Sequence, residues 1–249
     1  MAKAICDDEF PWCTAAGRKG ELFKLRLNDL APTQFAVGRA EVEFRAAGIL
    51  RKCRQHPDRL HDYLRVRPVP IVIRKDKFYL VDFHHMVRAL HDALHPTLGD
   101  AICVYVEVLE NASSLGHLYF WRQMYAHNRV YLFDHRGGGP LPPDKLPSHI
   151  RDLMFDPYRS LAWMVRHHYG YLKSDADFAE FQWANYFRTR LLLDPHILGG
   201  EDDVDRYLYA LDKDGQLALT DEGREVLDEA MYQAISPQAR GLPGYRGAG

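Results

Sequence analysis

Hydrophobic and polar residues alternate along positions 21–27, a pattern typical of a strand with one buried face. Between Arg39 and Gln55 the hydrophobic residues instead recur every three or four positions, as on the buried face of an amphipathic helix. The same two patterns predict strands at 69–73, 78–81 and 101–109, and a helix at 84–94 that Pro96 ends. Residues 21–110 are therefore predicted to form an α/β module in which about four strands carry two helices.

Downstream of this module the pattern is mainly helical. A helix is predicted at 115–127, and the glycine and proline residues of 137–143 indicate a connector. Further helices are predicted at 147–154, 158–169, 175–192, 202–211 and 221–234. The sequence thus predicts an α+β fold in four parts: an N-terminal arm at 1–20, the module at 21–110, a helical extension packed on it at 111–235, and a flexible tail at 236–249.

The charge balance gives the chain no overall field that would hold it on a polyanion. Its 32 Lys and Arg residues stand against 34 Asp and Glu, for a formal net charge of -2. Residues 39–67 carry eight bases and four acids, whereas residues 194–232 carry three bases and twelve acids. A small-molecule or nucleotide ligand is therefore favoured, and nucleic acid stays an open but less favoured partner.

Cysteine usage and the N-terminal residues predict a cytoplasmic protein. The four cysteines are Cys6, Cys13, Cys53 and Cys103. No two of them form a CxxC pair, so they are interpreted as reduced thiols, and Asp7 and Asp8 lie where a signal peptide would have its apolar core. The most apolar run, 101–109, is far shorter than the roughly twenty residues of a spanning helix, so no membrane partner is expected. The sequence does not indicate an oligomeric state.

The segment 78–90 carries the strongest candidate chemistry. Its predicted strand runs directly into Asp82 and then into a helix, which brings backbone N–H groups and the positive end of the helix dipole to one turn. Such a turn can bind an anion, and His84, His85 and Arg88 would surround it. The alternative interpretation is that Asp82 caps the helix and the histidines have structural roles.

This segment resembles the signature of the ParB/sulfiredoxin superfamily, which is a strand, then D-G-x-H-R or D-G-H-H-R, then a helix. The resemblance includes residues 30–34 (LAPTQ) and 69–85 (VPIVIRKDKFYLVDFHH), and so covers about residues 21–110. Residues 155–166 (FDPYRSLAWMVR) extend it to about residue 190 and point to the ParB-like nuclease family. The resemblance implies a small mixed sheet with helices, followed by a mainly helical extension.

In that superfamily the signature turn binds nucleotide phosphates, so the resemblance implies ATP or another nucleotide with Mg2+. It assigns ligand binding to Thr33, Gln34, His84, His85 and Arg88. The sequence departs from the signature at Phe83, where the family has Gly, and at Met86, where it has Arg. A phenylalanine hinders both positive φ and the close approach of a phosphate. Arg88, one helical turn after His84, is expected to replace the lost guanidinium.

Three functions stay open at this stage. The first is a phosphotransferase that acts on a small hydroxylated acceptor, with four catalytic candidates: Glu41, Glu43, Asp82 and His85. The two glutamates are two residues apart, so only one of them is expected to face the site. The second is a ParB-like nuclease or DNA-associated protein, and the third is a catalytically inert binding module. Reductase activity is excluded because His84 stands where sulfiredoxins have cysteine.

His91 and His95 are four residues apart and would share one face of a helix, as zinc ligands do. No third ligand is assigned, and a surface histidine pair is the preferred interpretation. No metal site is therefore predicted from the protein's own side chains.

Overall fold

The computed structural model describes Cys6 and residues 9–193, 204–212 and 214–247. The chain divides into two compact units. The first consists of Met1–Phe35, Arg45–Asp134 and Gly138–Met154, and the second of Ala36–Phe44, His135–Gly137 and Phe155–Gly249. The four-part division expected from the sequence stays a prediction.

The described strands are β1 (Leu22–Arg26), β2 (Leu30–Ala31), β3 (Ala36–Val37), β4 (Val69–Arg74), β5 (Lys77–Leu80), β6 (Cys103–Asn111), β7 (Met154–Phe155), β8 (Tyr209–Leu211) and β9 (Leu217–Leu219). The described helices are α1 (Arg39–Gln55), α2 (Pro57–Arg65), α3 (His84–Leu98), α4 (His117–Ala126), α5 (Pro157–His167), α6 (Ala179–Arg188), α7 (Val204–Leu208) and α8 (Asp221–Ile235). This content establishes a mixed α+β chain, as the sequence predicts.

A five-stranded mixed sheet lies in the first unit, with the order β1-β6-β4-β5-β2. Strand β6 is parallel to β4 and β2 is parallel to β5, whereas β1 with β6 and β4 with β5 are antiparallel. The strands predicted at 69–73, 78–81 and 101–109 share this sheet, which confirms that prediction. The sheet has one strand more than predicted because β2, with two residues, is too short to show an alternating pattern.

Helix α3 begins at the predicted residue but continues through Pro96 to Leu98, so the predicted stop at Pro96 is wrong. A proline in the last turn removes a single helical hydrogen bond, which the helix tolerates. The helix ends instead at Gly99, which has a φ of 53° and whose N–H donates to the carbonyl of His95.

The helix predicted at 147–154 is also wrong. That segment contains a short 3-10 turn at Ile150–Asp152, and β7 follows it. Pro147 offers no N–H, and the carbonyl oxygen of Leu153 accepts a hydrogen bond from Arg88 Nη1 (2.8 Å). The segment is therefore fixed by a side chain rather than by helical hydrogen bonds.

The helix predicted at 202–211 ends early, because α7 stops at Leu208 and β8 pairs with β9 in an antiparallel hairpin. The carboxylate of Asp212 accepts the N–H groups of Asp214 and Gln216 across the turn, and Gly215 takes a positive φ. Asp-Gly between hydrophobic residues is a hairpin signal, and it outweighs the helical spacing here. Residues 202 and 203 lie outside the described residues.

The structure corrects the expectation of four reduced thiols, because Cys6 and Cys103 form a disulfide. Their Cα atoms are 6.0 Å apart although 97 positions separate them, and no spacing rule signals such a pair. Cys13 and Cys53 are free cysteines. Asp7 and Asp8 lie outside the described residues. No helix in the described part of the chain is long and apolar enough to cross a membrane.

Aromatic side chains form the core of the second unit. Trp183 and Phe187 are fully buried, and the ring of Tyr171 stacks on Trp183 with centroids 4.3 Å apart. The indole N–H of Trp183 donates to the carbonyl of Pro243 (2.7 Å), which ties the C-terminal segment to this core. The helical spacing of the aromatic residues thus reflects packing.

Candidate functional site

The candidate turn joins β5 to α3, and its backbone is left-handed at one residue. Phe83 is the N-cap of α3 and lies in the left-handed region, with φ 67° and ψ 20°. Its carbonyl accepts the N–H of Val87 (2.9 Å), so the helix begins directly after it. The Phe83 side chain makes no capping hydrogen bond to this helix. The turn thus takes a positive φ although a phenylalanine stands where the signature has glycine.

Asp82 precedes the left-handed residue of the turn, and His85 follows it by two positions. The exposed carboxylate of Asp82 accepts the N–H of Phe83 through Oδ1 (2.6 Å), which helps to hold the positive φ. His85 is the second residue of α3 and is half-buried. A ligand at the start of the helix would meet both side chains, because both belong to residues that adjoin the first turn.

Thr33 fixes the turn from the loop after β2. Its backbone N–H donates to Nε2 of His84 (3.1 Å), and its hydroxyl donates to the carbonyl of Leu80 (2.6 Å) at the end of β5. Both Thr33 and His84 are buried. The Pro-Thr-Gln segment and the turn are thus brought together, and Thr33 acts as a brace between strand and helix.

Burial lowers the pKa of His84 to about 3, so its imidazole is neutral near pH 7. Because Nε2 accepts the Thr33 N–H, the ring proton lies on Nδ1. His84 therefore supplies no positive charge to an anion. Gln34 is also buried, and its backbone forms a bridge to Tyr131 beside the brace.

Arg88 is directed away from the start of α3. Its Nε donates to both carboxylate oxygens of Asp92, at 3.0 and 2.9 Å, and its Nη1 donates to Leu153. The side chain is only 11% exposed. To bind an anion, Arg88 would have to give up its hydrogen bonds to Asp92. The expected role of Arg88 in replacing the lost guanidinium stays a prediction.

Glu41 and Glu43 lie in the second unit and both are held by arginines of that unit. The buried Glu41 carboxylate accepts a hydrogen bond from Arg159 Nη2 (3.0 Å). Glu43 accepts hydrogen bonds from Arg39 and Arg206, and from the hydroxyl of Tyr209 (2.9 Å). Each carboxylate thus has a clear structural role, and the catalytic role expected for one of them stays a prediction.

The segment 155–166 is explained by structure rather than by chemistry at the turn. The buried carboxylate of Asp156 caps α5 by accepting the N–H groups of Tyr158 and Arg159, and it also accepts a hydrogen bond from Arg188 (2.7 Å). A Cβ at Gly38 would lie 2.9 Å from backbone atoms of this first turn. Sequence analysis missed this buried ionic cluster, although Asp-Pro before a helix is a recognisable cap signal.

The predicted histidine pair is brought together on α3. The rings of His91 and His95 stack with centroids 4.7 Å apart, and His91 Nδ1 lies 2.9 Å from the Asp92 carboxylate. Within the described residues, no group of three or more histidine, cysteine or acidic side chains has a geometry that would hold a metal ion.

Comparison with known proteins places these features in a wider context. The sequence model of a family described as "Putative ParB-like nuclease" matches residues 23–189, which include the turn and the segment 155–166. Among solved structures, the crystal structure of protein Atu1540 from Agrobacterium tumefaciens is similar, with 32% sequence identity and a TM-score of 0.69. That alignment covers 92% of this chain and 100% of the Atu1540 chain. No curated protein matches the sequence.

Proposed function

The chain belongs to the ParB-like nuclease family, and we propose that it binds the phosphate groups of a nucleotide at the turn from Asp82 to His85. The observation that carries this proposal is the left-handed conformation of Phe83. A β-carbon at positive φ costs roughly 1–2 kcal/mol, yet the turn adopts this conformation at the position where the signature has glycine. The N-cap side chain of α3 makes no capping hydrogen bond, and the backbone N–H groups at the start of a helix can bind a phosphate.

The charges at the turn favour a ligand that binds together with a metal cation. His84 is neutral, Arg88 is engaged by Asp92, and Asp82 is an exposed carboxylate. Two negative groups in direct contact repel, so Asp82 is expected to meet the phosphates through Mg2+. One carboxylate plus substrate phosphates is a common environment for Mg2+, and the exposed Asp82 side chain fits it. When bound, Mg2+ would neutralise charge on the phosphates.

A more specific version of the same proposal is that the protein transfers a phosphoryl group from the bound nucleotide. It requires a carboxylate that orients or deprotonates the acceptor hydroxyl, and Asp82 and His85 are the candidates that adjoin the turn. Glu41 and Glu43 would each have to leave an arginine partner to serve the reaction. Binding is therefore the function that the geometry supports best, and transfer is tested separately.

The experiment is a thermal-shift and calorimetric titration of the full chain with phosphate, ADP, ATP and CTP, with and without Mg2+. A ligand present at a hundred times its Kd should add about 2.7 kcal/mol of stability. His85→Ala should weaken binding at least tenfold, whereas His95→Ala, an exposed histidine near the other end of α3, should leave it unchanged. Phe83→Gly should strengthen binding. Equal affinities in all three variants would show that the anion binds elsewhere.

Asp82→Asn separates the two forms of the proposal. The variant should abolish the dependence of nucleotide binding on Mg2+ while leaving inorganic phosphate binding intact. If the enzyme transfers phosphate, product formation should fall with it. Unchanged Mg2+ dependence would remove Asp82 from the site.

A further inference from the structure

The exposed face of α4 is unusual in its composition. It consists of Leu118, Tyr119, Arg122, Tyr125 and Ala126, and we refer to it as the α4 face. Leu118, Tyr119 and Tyr125 are 59%, 66% and 60% exposed, although these residue types are usually at least partly covered. The opposite face is well packed, since Phe120 and Met124 are each only 1% exposed. The helix is therefore firmly anchored while it presents two aromatic rings to solvent.

The α4 face has a defined order of groups. Tyr119 lies one turn before Arg122 and Tyr125 lies one turn after it, each at about 4.5 Å of helix rise. Arg122 thus sits between two exposed rings. Arg122 is exposed, and no ion pair of its guanidinium is found within the described part of the chain. The face therefore offers a guanidinium and two flat aromatic surfaces together.

The sequence around the α4 face also carries basic residues and no acidic ones. Residues 111–133 contain no aspartate or glutamate, but they contain two arginines, two histidines and six aromatic residues. The neighbouring carboxylate of Glu110 is already bound by Arg129 and Gln123. An acidic partner is thus favoured over a basic one, although the net charge of the whole chain is slightly negative.

From these observations we propose that the α4 face binds single-stranded nucleic acid, with bases stacked on Tyr119 and Tyr125 and a phosphate at Arg122. Sequence-tolerant binding of single strands combines a basic element with aromatic side chains on which bases stack. A duplex hides the faces of its bases, so it can use Arg122 but not the tyrosines. An acidic peptide supplies charge but few flat surfaces. This inference does not depend on ligand binding at the Asp82 turn.

The test is fluorescence anisotropy of a labelled thymidine oligomer of about 12 nucleotides titrated with the full chain at low salt. Tyr119→Ala and Tyr125→Ala should each weaken binding by roughly 5- to 150-fold, the loss expected for one stacked base. The phenylalanine variants should bind within about twofold of the wild type, because stacking needs the ring and not the hydroxyl. Arg122→Ala should reduce the slope of log K against log salt by about 0.7.

Tyr232→Ala is the matched control, because Tyr232 is also 66% exposed but lies on α8. It should leave the affinity unchanged. The proposal is overturned by absence of oligomer binding, by equal losses in the control, or by a duplex or polyglutamate that binds more tightly through the same tyrosines. It is also overturned if sedimentation shows a dimer that the Tyr119 variant dissociates, since the face would then bind a second copy.

Discussion

Substitution of Phe83 should reverse the usual order of alanine and glycine. At an ordinary helical position alanine is more stable than glycine by about 1 kcal/mol. At Phe83, with φ 67°, alanine keeps the cost of roughly 1–2 kcal/mol that positive φ imposes on a β-carbon. Glycine removes that cost but loses about 0.5–1 kcal/mol through the greater entropy of the unfolded chain. Both variants lose the same phenyl ring, so their comparison isolates the backbone.

Phe83→Gly is therefore expected to be more stable than Phe83→Ala by about 0.75 kcal/mol, within a range of roughly 0–1.5 kcal/mol, and the central value corresponds to roughly 1.5–3 °C in Tm for a chain of this size. Urea unfolding followed by circular dichroism measures the difference. Gly48→Ala is the matched control, because Gly48 lies inside α1 and an added Cβ would meet only Arg51 Nη2, at 3.8 Å. This variant should gain stability. If Phe83→Ala equals or exceeds Phe83→Gly while Gly48→Ala behaves normally, the turn does not hold a strained backbone.

Three further predictions concern groups that hold the fold. Glu41→Gln removes the nearer of the two carboxylates that face the buried Arg159 guanidinium, leaving Glu180 at 3.9 Å, and should cost up to roughly 3–5 kcal/mol in urea unfolding, whereas Glu225→Gln on the exposed side of α8 should cost almost nothing. Below pH 6.5 the unfolded chain protonates His84 and the folded chain does not until about pH 3, so this histidine should lower stability as the pH falls, by up to about 1.4 kcal/mol per unit. His84→Gln should remove that slope, and an unchanged slope would refute the neutral assignment. Cys6→Ser opens a large loop and should cost about 2–4 kcal/mol, and a reductant should destabilise the wild type but not this variant.

The elements that could be predicted from sequence are those whose stability is local or periodic. Helix α1 has the predicted bounds because its hydrophobic stripe is continuous, and the strands at 69–73 and 101–109 follow their β-branched residues. The missed elements are short. Helix α2 is amphipathic, but it has only nine residues and begins after His56, which makes no side-chain cap, and β2 has two residues. The disulfide joins two cysteines that are 97 positions apart, and no periodic pattern in the sequence indicates such a pairing.

The residue types at the candidate turn were predictable, but their partners were not. Arg88 is bound to a carbonyl that lies 65 positions further along the chain, and His84 is bound to the backbone of Thr33, 51 positions before it. Such contacts depend on the fold as a whole. The positive φ of Phe83 depends on the fold in the same way, because the Asp82 carboxylate and Thr33 hold the turn from both sides.

The turn therefore has a left-handed backbone at the start of a helix but lacks a guanidinium group that is available to bind a phosphate. The backbone keeps the left-handed residue and the uncapped helix start, whereas Met86 is apolar, His84 is neutral and Arg88 is held by Asp92. Binding that relies mainly on backbone N–H groups is less sensitive to ionic strength than binding by guanidinium groups, because it releases fewer counter-ions and involves shorter-ranged forces. Phosphate affinity at the turn should thus fall less with salt than oligonucleotide affinity at the α4 face, where the phosphate at Arg122 contributes a log–log slope of about 0.7. An equal salt dependence of the two affinities, lost together in Arg122→Ala, would mean that both ligands use the same cationic surface and that the turn is not the phosphate site.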